Sequence, residues 1–170
     1  CRVFLVEKEI TSHENSVVIE VKDTKKALGD IAKYYLAGKG IKKIAVTGSV
    51  GKTTTKEMIA AVCENVSDTL KTLGNFNNDI GLPLTILRLE DEKIGIFEMG
   101  MNHFGEIEYL SSIVNPDIAV ISNIGYSHIE NLGSREGILK AKLEVLKHMS
   151  KEGIIVLNGD DELLFGAKDS

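Results

Sequence analysis

The bulk properties of the sequence exclude several classes of protein. The chain has 170 residues, of which 43% are hydrophobic, enough for one packed domain or for one domain with part of another. The net charge of −5 at pH 7 comes without a lysine or arginine cluster, which argues against nucleic acid as the main partner. No apolar run approaches membrane-spanning length, and no secretory leader opens the chain. Cys1 and Cys63 fit neither a metal nor a disulfide pattern, so a reducing cytoplasm is the expected location.

Strand and helix signals alternate along the chain. Short strands are predicted at 2–6 and 16–21, and Asp23 or Thr24 can cap a helix that runs to about Gly38. The other predicted strands lie at 43–46, 94–97, 117–121 and 153–157, and the other predicted helices at 52–64, 81–89, 105–112 and 134–149. This alternation predicts an α/β fold in which helices cover both faces of a parallel sheet.

The chain is expected to have three parts. Residues 1–22 are interpreted as the end of a separate N-terminal unit, residues 23–40 as a connecting helix, and residues 41–170 as the main α/β domain. Position 1 is Cys rather than Met, so we expect the sequence to begin inside a longer protein.

The segment 43–55 is the most informative part of the sequence, because an apolar strand enters a glycine-rich turn and Gly51-Lys52-Thr53 opens a helix. In a P-loop, backbone N–H groups close on phosphate oxygens, the lysine reaches the terminal phosphates and the hydroxyl ligates magnesium. The predicted ATP-binding residues are Thr47, Gly48, Ser49, Val50, Gly51, Lys52, Thr53 and Thr54. The alternative is an ordinary strand-to-helix turn, since Val46 replaces the first glycine of the general pattern.

Two further candidates follow predicted strands, at the edge of the sheet where α/β proteins bind ligands. Glu98 follows strand 94–97 and matches the acidic residue that holds magnesium in P-loop enzymes; the alternative is a polar strand end. His128 follows strand 117–121, and it is either a metal ligand or an exposed capping residue.

Several polar residues in the loops after predicted strands have two interpretations. They either contact a substrate or cap turns and helices, as asparagine commonly does. These residues are Asn75, Asn77, Asn78, Asn102 and His103.

Lys142 lies where a lysine is not expected. On a helical wheel it falls inside the apolar stripe that contains Ile138 and Val145, whereas Lys140, Glu144 and Lys147 lie on the opposite face. Burial of a lysine lowers the pKa of its amine. The side chain therefore either extends to water with its stem on the apolar surface, or its amine is neutral, paired or chemically modified.

Four blocks of the sequence together resemble the Mur ligases, and most closely the branch that joins D-alanyl-D-alanine to UDP-N-acetylmuramoyl-tripeptide. The blocks begin at Thr47 (TGSVGKTTTKE), Gly74 (GNFNNDIGLP), Glu98 (EMGMNH) and Asn123 (NIGYSHIE), and they occur in the family's order and spacing. The resemblance extends over nearly the whole chain from about residue 20.

The resemblance implies a reaction and roles for the candidate residues. ATP would phosphorylate a substrate carboxylate, and the resulting acyl phosphate would be attacked by an amine to form an amide. Lys52, His128 and Lys142 would be catalytic, with magnesium held by Thr53 and Glu98 and a second magnesium by His128. Lys142, which follows Ala141 as in several Mur ligases, would carry a carbamate that lies against magnesium. The asparagines and His103 named above would contact the substrate.

The resemblance also has departures and alternatives. Val50, Phe104 and Ser127 stand where the family usually has asparagine, proline and alanine. Mur ligases have three domains, and this sequence would hold the end of the first and part of the ATP-binding middle domain, so we expect weak nucleotide binding and no turnover by these residues alone. The remaining alternatives are a folylpolyglutamate synthetase-like ligase and a P-loop ATPase that switches partners. Oligomeric state is not predicted.

Overall fold

The computed structural model describes residues 3–11 and 15–167. Near the N-terminus, β1 (Val3–Val6) and β2 (Val17–Glu20) pair in parallel as a two-stranded sheet of their own. Both strands agree with the sequence prediction, except that residue 2 lies outside the described residues. The carboxylate of Glu7 then accepts hydrogen bonds from the backbone N–H and the hydroxyl of Thr24, at 2.9 and 2.7 Å, which joins this small sheet to the helix that follows.

That helix, α1 (Thr24–Ala37), begins as the sequence predicts. Oδ1 of Asp23 accepts a hydrogen bond from the backbone N–H of Lys26 at 2.9 Å and thereby caps the first turn. Ala32 and Leu36 are buried in the same apolar cluster as the main sheet. The helix therefore packs as part of the larger unit.

The larger unit is built on a parallel sheet of five strands in the order β4-β5-β3-β6-β7. Its strands are β3 (Lys42–Thr47), β4 (Thr69–Lys71), β5 (Ile94–Glu98), β6 (Ile118–Ile121) and β7 (Ile154–Leu157). The helices are α2 (Lys52–Cys63), α3 (Gly81–Ile86), α4 (Glu106–Val114), α5 (Ile129–Leu132), α6 (Arg135–Leu143) and α7 (Glu162–Gly166), with a 3-10 helix at Glu144–His148. The predicted α/β fold is confirmed.

Side chains of the central strand alternate between two apolar clusters on opposite faces of the sheet. Ile44 and Val46 pack with Ala60 of α2 on one face. Ala45 points to the other face, into a larger cluster that includes residues of α1, α3, α4 and α6. On the α2 face, β7 is only partly covered, and Ile154 and Val156 keep 55% and 47% of their surface exposed.

Five elements differ from the sequence prediction. β4 was not predicted, and neither were the short helices α5 and α7. The predicted helix 134–149 is interrupted, because α6 ends at Leu143 and continues as a 3-10 helix. The predicted helix 81–89 ends as an α-helix at Ile86, and its last residues form 3-10-type bonds such as that from the N–H of Leu89 to the carbonyl of Ile86.

The order of the strands determines where the functional loops meet. β3 lies between β5 and β6, so the loops that leave the carboxyl ends of these three strands lie side by side at one edge of the sheet. The P-loop follows β3, Glu98 ends β5, and residues 122–128 follow β6. In the described ranges 3–11 and 15–167, no helix is both long and apolar enough to span a membrane.

Candidate active site

The loop between β3 and α2 has a backbone shape that depends on two glycines. Gly48 has φ +156°, and an ideal Cβ added to it would lie 1.9 Å from Oγ of Ser122. Gly51 has φ +76° and directly precedes the first residue of α2. A side chain at Gly48 would collide with the neighbouring loop, and one at Gly51 would strain the backbone.

Lys52 is the first residue of α2, and its side chain folds back over the loop. The ammonium Nζ donates a hydrogen bond to the carbonyl oxygen of Gly48 at 3.1 Å. The positive end of α2 and the ammonium are therefore directed to the same place, which suits a phosphate group.

Ser49 provides a further reason to expect a ligand at this loop. Its side chain is buried, and its hydroxyl oxygen has no hydrogen-bond partner among the residues that the structure describes. Buried polar groups normally have partners. A phosphate oxygen of ATP would provide an acceptor for this hydroxyl, so the residues present fit the predicted nucleotide.

Glu98 and Thr53 are in direct contact, as the prediction of a shared magnesium requires. Oγ1 of Thr53 donates to Oε2 of Glu98 at 3.0 Å, and Nδ2 of Asn77 donates to Oε1 of the same carboxylate at 2.9 Å. Glu98 is 1% exposed, and its backbone N–H donates to Oγ1 of Thr72. The carboxylate is thus held at a fixed place and angle.

These oxygens fit magnesium in kind and in number. Magnesium sites in nucleotide enzymes use one or two protein oxygens, with phosphate and water as the other ligands. Among the described residues, there is no group of three or more His, Cys, Asp or Glu side chains placed to hold a metal ion. A hydroxyl and a carboxylate beside a phosphate loop are the set that such a shared site uses.

Lys56, on the second turn of α2, was not among the predicted site residues. The side chain is fully buried, and Nζ donates to the carbonyl oxygen of Thr72 at 2.6 Å. The same ammonium lies 3.1 Å from Oε1 of Glu57 and 3.8 Å from Oε2 of Glu98. A sequence signal existed, because Lys56 follows Lys52 by four residues and so lies on the same side of the helix.

The predicted substrate residues are divided among three places. Asn75 and Asn77 lie with the P-loop around one cavity of about 430 Å³, although the amide of Asn77 is bonded to Glu98. Oδ1 of Asn78 accepts from the N–H groups of Ile80 and Gly81 at the start of α3, the capping role that was the alternative. Contact of these side chains with a substrate stays a prediction.

Asn102 and His103 lie in the exposed turn before α4. The N–H of Asn102 and Nδ1 of His103 both contact the carboxylate of Glu106, at 2.5 and 3.3 Å. Asn78 and Asn102 also line a second cavity of about 660 Å³ that lies beside the first turn of α1. The five predicted residues are thus not gathered into one cluster.

His128 adopts an unusual backbone conformation at the start of α5. It has φ +64°, in the left-handed region, and its side chain is exposed. Oγ of Ser127, its neighbour, donates to the carbonyl oxygen of Ser49 at 3.4 Å. The loop after β6 therefore touches the P-loop next to His128, and a positive φ in a residue other than glycine is common at functional sites.

Lys142 on α6 is buried, with 2% of its surface exposed. This burial leaves little of the side chain in contact with water. Burial, together with the positive charge of Lys52, lowers the pKa of the amine to about 7. A lowered pKa favours the neutral form of the amine, which was one of the alternatives that the helical wheel left open.

Glu144 corrects one expectation from the helical wheel. The wheel placed it on the exposed face with Lys140, but it is 6% exposed. The change from α-helix to 3-10 helix after Leu143 alters the angle between residues, so the wheel no longer applies. Both carboxylate oxygens accept from the N–H of Gly105 at 2.9 Å, and Oε2 also accepts from the N–H of Glu108 at 3.3 Å.

Comparisons with known proteins agree with this geometry. The sequence profile described as Mur ligase middle domain matches residues 46–169. A curated relative from Bacillus subtilis (strain 168), named UDP-N-acetylmuramoyl-tripeptide–D-alanyl-D-alanine ligase, is 53% identical over 155 residues, which cover 91% of this chain and 34% of the relative. An Escherichia coli (strain K12) relative of the same name is 42% identical over 83% of this chain and 31% of its own length. The chain spans about a third of these relatives.

Solved structures give the same result. A crystal structure of MurF from Acinetobacter baumannii superposes with a TM-score of 0.93 at 39% identity, over 99% of this chain and 37% of that chain. MurF from Thermotoga maritima in complex with ADP gives 0.90 at 34% identity, over 97% and 38%. An FPGS–AMPPCP complex gives 0.62 at 17% identity, over 84% and 47%, which shows a shared fold alone. With a phosphate loop, an adjoining acidic residue and a matching middle-domain profile, this chain belongs to the Mur ligase family.

Proposed function

We propose that the protein acts as an ATP-dependent carboxylate–amine ligase whose substrates are UDP-N-acetylmuramoyl-tripeptide and D-alanyl-D-alanine, the two compounds in the names of its relatives. The observation that carries the proposal is the contact between Thr53 and Glu98 beside the ammonium of Lys52. The reaction belongs in the cytoplasm, where ATP is available and Cys63 stays a free thiol.

The first step joins two negatively charged groups. An oxygen of the tripeptide carboxylate attacks the γ-phosphorus of ATP, the bond to the β-phosphate oxygen breaks, and ADP leaves with that electron pair. Lys52 and the amides at the start of α2 lower the barrier because they offset charge on the phosphates and hold them in line with the nucleophile. Magnesium held by Thr53 and Glu98 would supply further positive charge at the phosphates.

The second step forms the amide. The neutral amine of D-alanyl-D-alanine attacks the acyl phosphate carbon, inorganic phosphate leaves, and the nitrogen loses a proton. We place His128 and the asparagines of the two loops next to this substrate, with His128 as a ligand of a second magnesium. Their position at the carboxyl edge of the sheet supports these roles.

The burial of Lys142 and the lowered pKa of its amine support carbamylation of this residue. A neutral amine can attack carbon dioxide, so that an N–C bond forms and a proton is released to water. The pKa of about 7 gives Lys142 a large neutral fraction at pH 7 and above. We propose that the resulting carbamate is an anion that lies against the metal site, where it would offset part of the charge of Lys52.

A nucleotide-dependent switch is the second candidate, because it would also bind ATP through a P-loop. A switch does not require a buried lysine with a lowered pKa, so Lys142 favours the ligase. The two candidates differ in one measurement, which is whether phosphate release from ATP depends on an added carboxylate substrate. Release that is independent of this substrate would favour the switch.

The ATP site is tested by magnesium-ATP titration of the full-length protein and its Lys52→Ala variant. Loss of a charge-assisted contact to phosphate should weaken binding by about tenfold or more. Lys151→Ala is a matched control, since Lys151 lies in an exposed turn. Equal affinity of Lys52→Ala and Lys151→Ala for magnesium-ATP would contradict the proposed site. Ligation is then assayed with the tripeptide precursor and D-alanyl-D-alanine.

A further inference from the structure

The side chain of Asn123, from the next loop, makes three hydrogen bonds to the tip of the P-loop. Oδ1 accepts hydrogen bonds from the backbone N–H of Val50 at 3.0 Å and of Ser49 at 3.2 Å, and Nδ2 donates to the carbonyl oxygen of Val50 at 3.0 Å. The carboxamide thus contacts Val50 on both its N–H and its C=O. Oγ of Ser122 donates to the same carbonyl at 2.9 Å.

This contact is needed because the loop tip has little packing of its own. The side chain of Val50 is 62% exposed, so apolar burial contributes little to its position. The flanking glycines Gly48 and Gly51 give the backbone additional freedom. Polar contacts therefore fix the conformation of the tip, and those with Asn123 and Ser122 add to the bond from Ser127 to the carbonyl oxygen of Ser49.

Asn123 is itself held from the opposite side. The N–H of the next residue, Ile124, donates to Oδ2 of Asp161 at 2.7 Å, and its carbonyl oxygen accepts from the guanidinium of Arg135 at 2.8 Å. Asp161 caps α7 and Arg135 begins α6. The carboxamide is therefore presented from a backbone segment that two further elements fix in place.

The same contacts determine which amides are available to a phosphate. The N–H groups of Ser49 and Val50 already have an acceptor in Asn123. The first N–H groups of a helix have no partner within it, so those of Lys52 and Thr53 at the start of α2 remain for the ligand. The terminal phosphates are thereby directed to the helix end beside Glu98.

From this arrangement we infer that Asn123 is a positioning residue, which acts through the backbone of Val50 to hold the P-loop ready for phosphate before ATP binds. The inference rests on the ATP site proposed above. It assigns Asn123 no contact with the nucleotide.

Hydrogen exchange of the nucleotide-free, full-length protein tests the first half of the inference. Within residues 3–11 and 15–167, the N–H of Val50 bonds to the side chain of Asn123 alone, whereas that of Ser49 also bonds to the backbone oxygen of Asn123 at 3.1 Å. In Asn123→Ala, exchange of the Val50 amide should accelerate by about tenfold or more, with a smaller change at Ser49 and none at Ala45 inside β3. Unchanged exchange at Val50 would overturn the inference.

A second variant covers the case in which Asn123→Ala does not fold. Asn123→Asp keeps an acceptor for the amide of Val50, and a carboxylate is a strong one. The Val50 amide should therefore stay protected from exchange. Ser122 still donates to the carbonyl oxygen of Val50 in this variant, so loss of protection at the Val50 amide would overturn the inference.

A titration with magnesium-ATP tests whether the position of the P-loop affects ATP binding. Asn123→Ala should lower the affinity for ATP by about tenfold, because part of the binding energy must then be used to order the loop. Asn65→Ala is the matched control, because Asn65 is exposed at the far end of α2, and its affinity should equal that of the parent. An affinity unchanged in Asn123→Ala despite faster Val50 exchange would overturn the inference. The titration of the unmodified protein is read first. If that protein does not bind ATP, the proposed function fails, and the inference about Asn123 fails with it.

Discussion

Burial of Lys142 disfavours the charged form of its amine. The amine has an ordinary pKa of 10.5, and burial together with the charge of Lys52 lowers it to about 7 in the folded protein. Between these two pH values the unfolded chain binds more protons than the folded one. The free energy of unfolding therefore rises with pH across this range, by up to about 1.4 kcal/mol for each pH unit. Below pH 7 the amine is charged in both states and this dependence ends.

The first prediction concerns this pH dependence. Lys142→Met should remove the contribution, so the difference in unfolding free energy between parent and variant should change steadily from pH 7 to pH 9.5 in favour of the parent. Urea unfolding at a series of pH values, without added bicarbonate, measures it. Lys151→Met, at an exposed position, is the control and should keep the parent's slope. A parent without the slope would have a charged amine, and the carbamylation proposal would fail.

At the scale of secondary structure elements, Glu144 connects the 3-10 helix to the start of α4. The N-cap of α4 is Gly105, which has no side chain to cap the helix. The carboxylate of Glu144 supplies the missing acceptor for Gly105 and Glu108, and a negative charge is favourable at that end of a helix. The turn with Asn102 and His103 lies directly before this junction.

Replacement of Glu144 should therefore destabilise the fold. Glu144→Ala removes the charged acceptor of the partly buried N–H groups of Gly105 and Glu108 and should cost about 1.5–3 kcal/mol of unfolding free energy. Glu144→Gln keeps one acceptor oxygen and should cost less. Denaturant unfolding measures both against Glu152→Ala, which changes an exposed glutamate in a turn. Equal stability of all three variants would show that the junction contributes nothing to the fold.

Across the whole molecule, the strands of the sheet differ in how well they are protected. β3 is paired on both sides, with β5 and β6, whereas β4 has three residues and β7 has one described partner. Ile155 and Val156 of β7 are each about half exposed, at 48% and 47%. Local openings therefore need less free energy at β7 than at the centre.

Hydrogen exchange of the 170-residue chain should show this gradient. Ladder amides of β3 should exchange at the rate of global unfolding, and those of β7 should exchange faster by about tenfold or more. Exchange measured by NMR gives both rates in one sample, and the amides of β5 serve as an internal reference for protected strands. Equal rates in β3 and β7 would contradict the gradient.

The features that could be predicted from the sequence are those whose residues lie close together along the chain. The P-loop and strand 43–46 carry their own signals, and Lys142 stood out because its stripe lies within one helix. β4 was missed because Thr69-Leu70-Lys71 has no apolar run, and only its pairing with β5 makes it a strand. Asn123 was missed because its partners are more than 70 residues away, a separation that no local pattern reports.

The contact between Val50 and Asn123, 73 residues apart, has a consequence for the protein's synthesis. The ribosome releases β3 and the P-loop early, but the loop cannot acquire its working shape until β6 has emerged and paired with β3. Contacts of such long separation form late and slow the folding of parallel sheets. ATP should therefore bind more weakly to a partly synthesised chain than to the assembled sheet. Nucleotide in the cell can only stabilise sheets that have already been assembled.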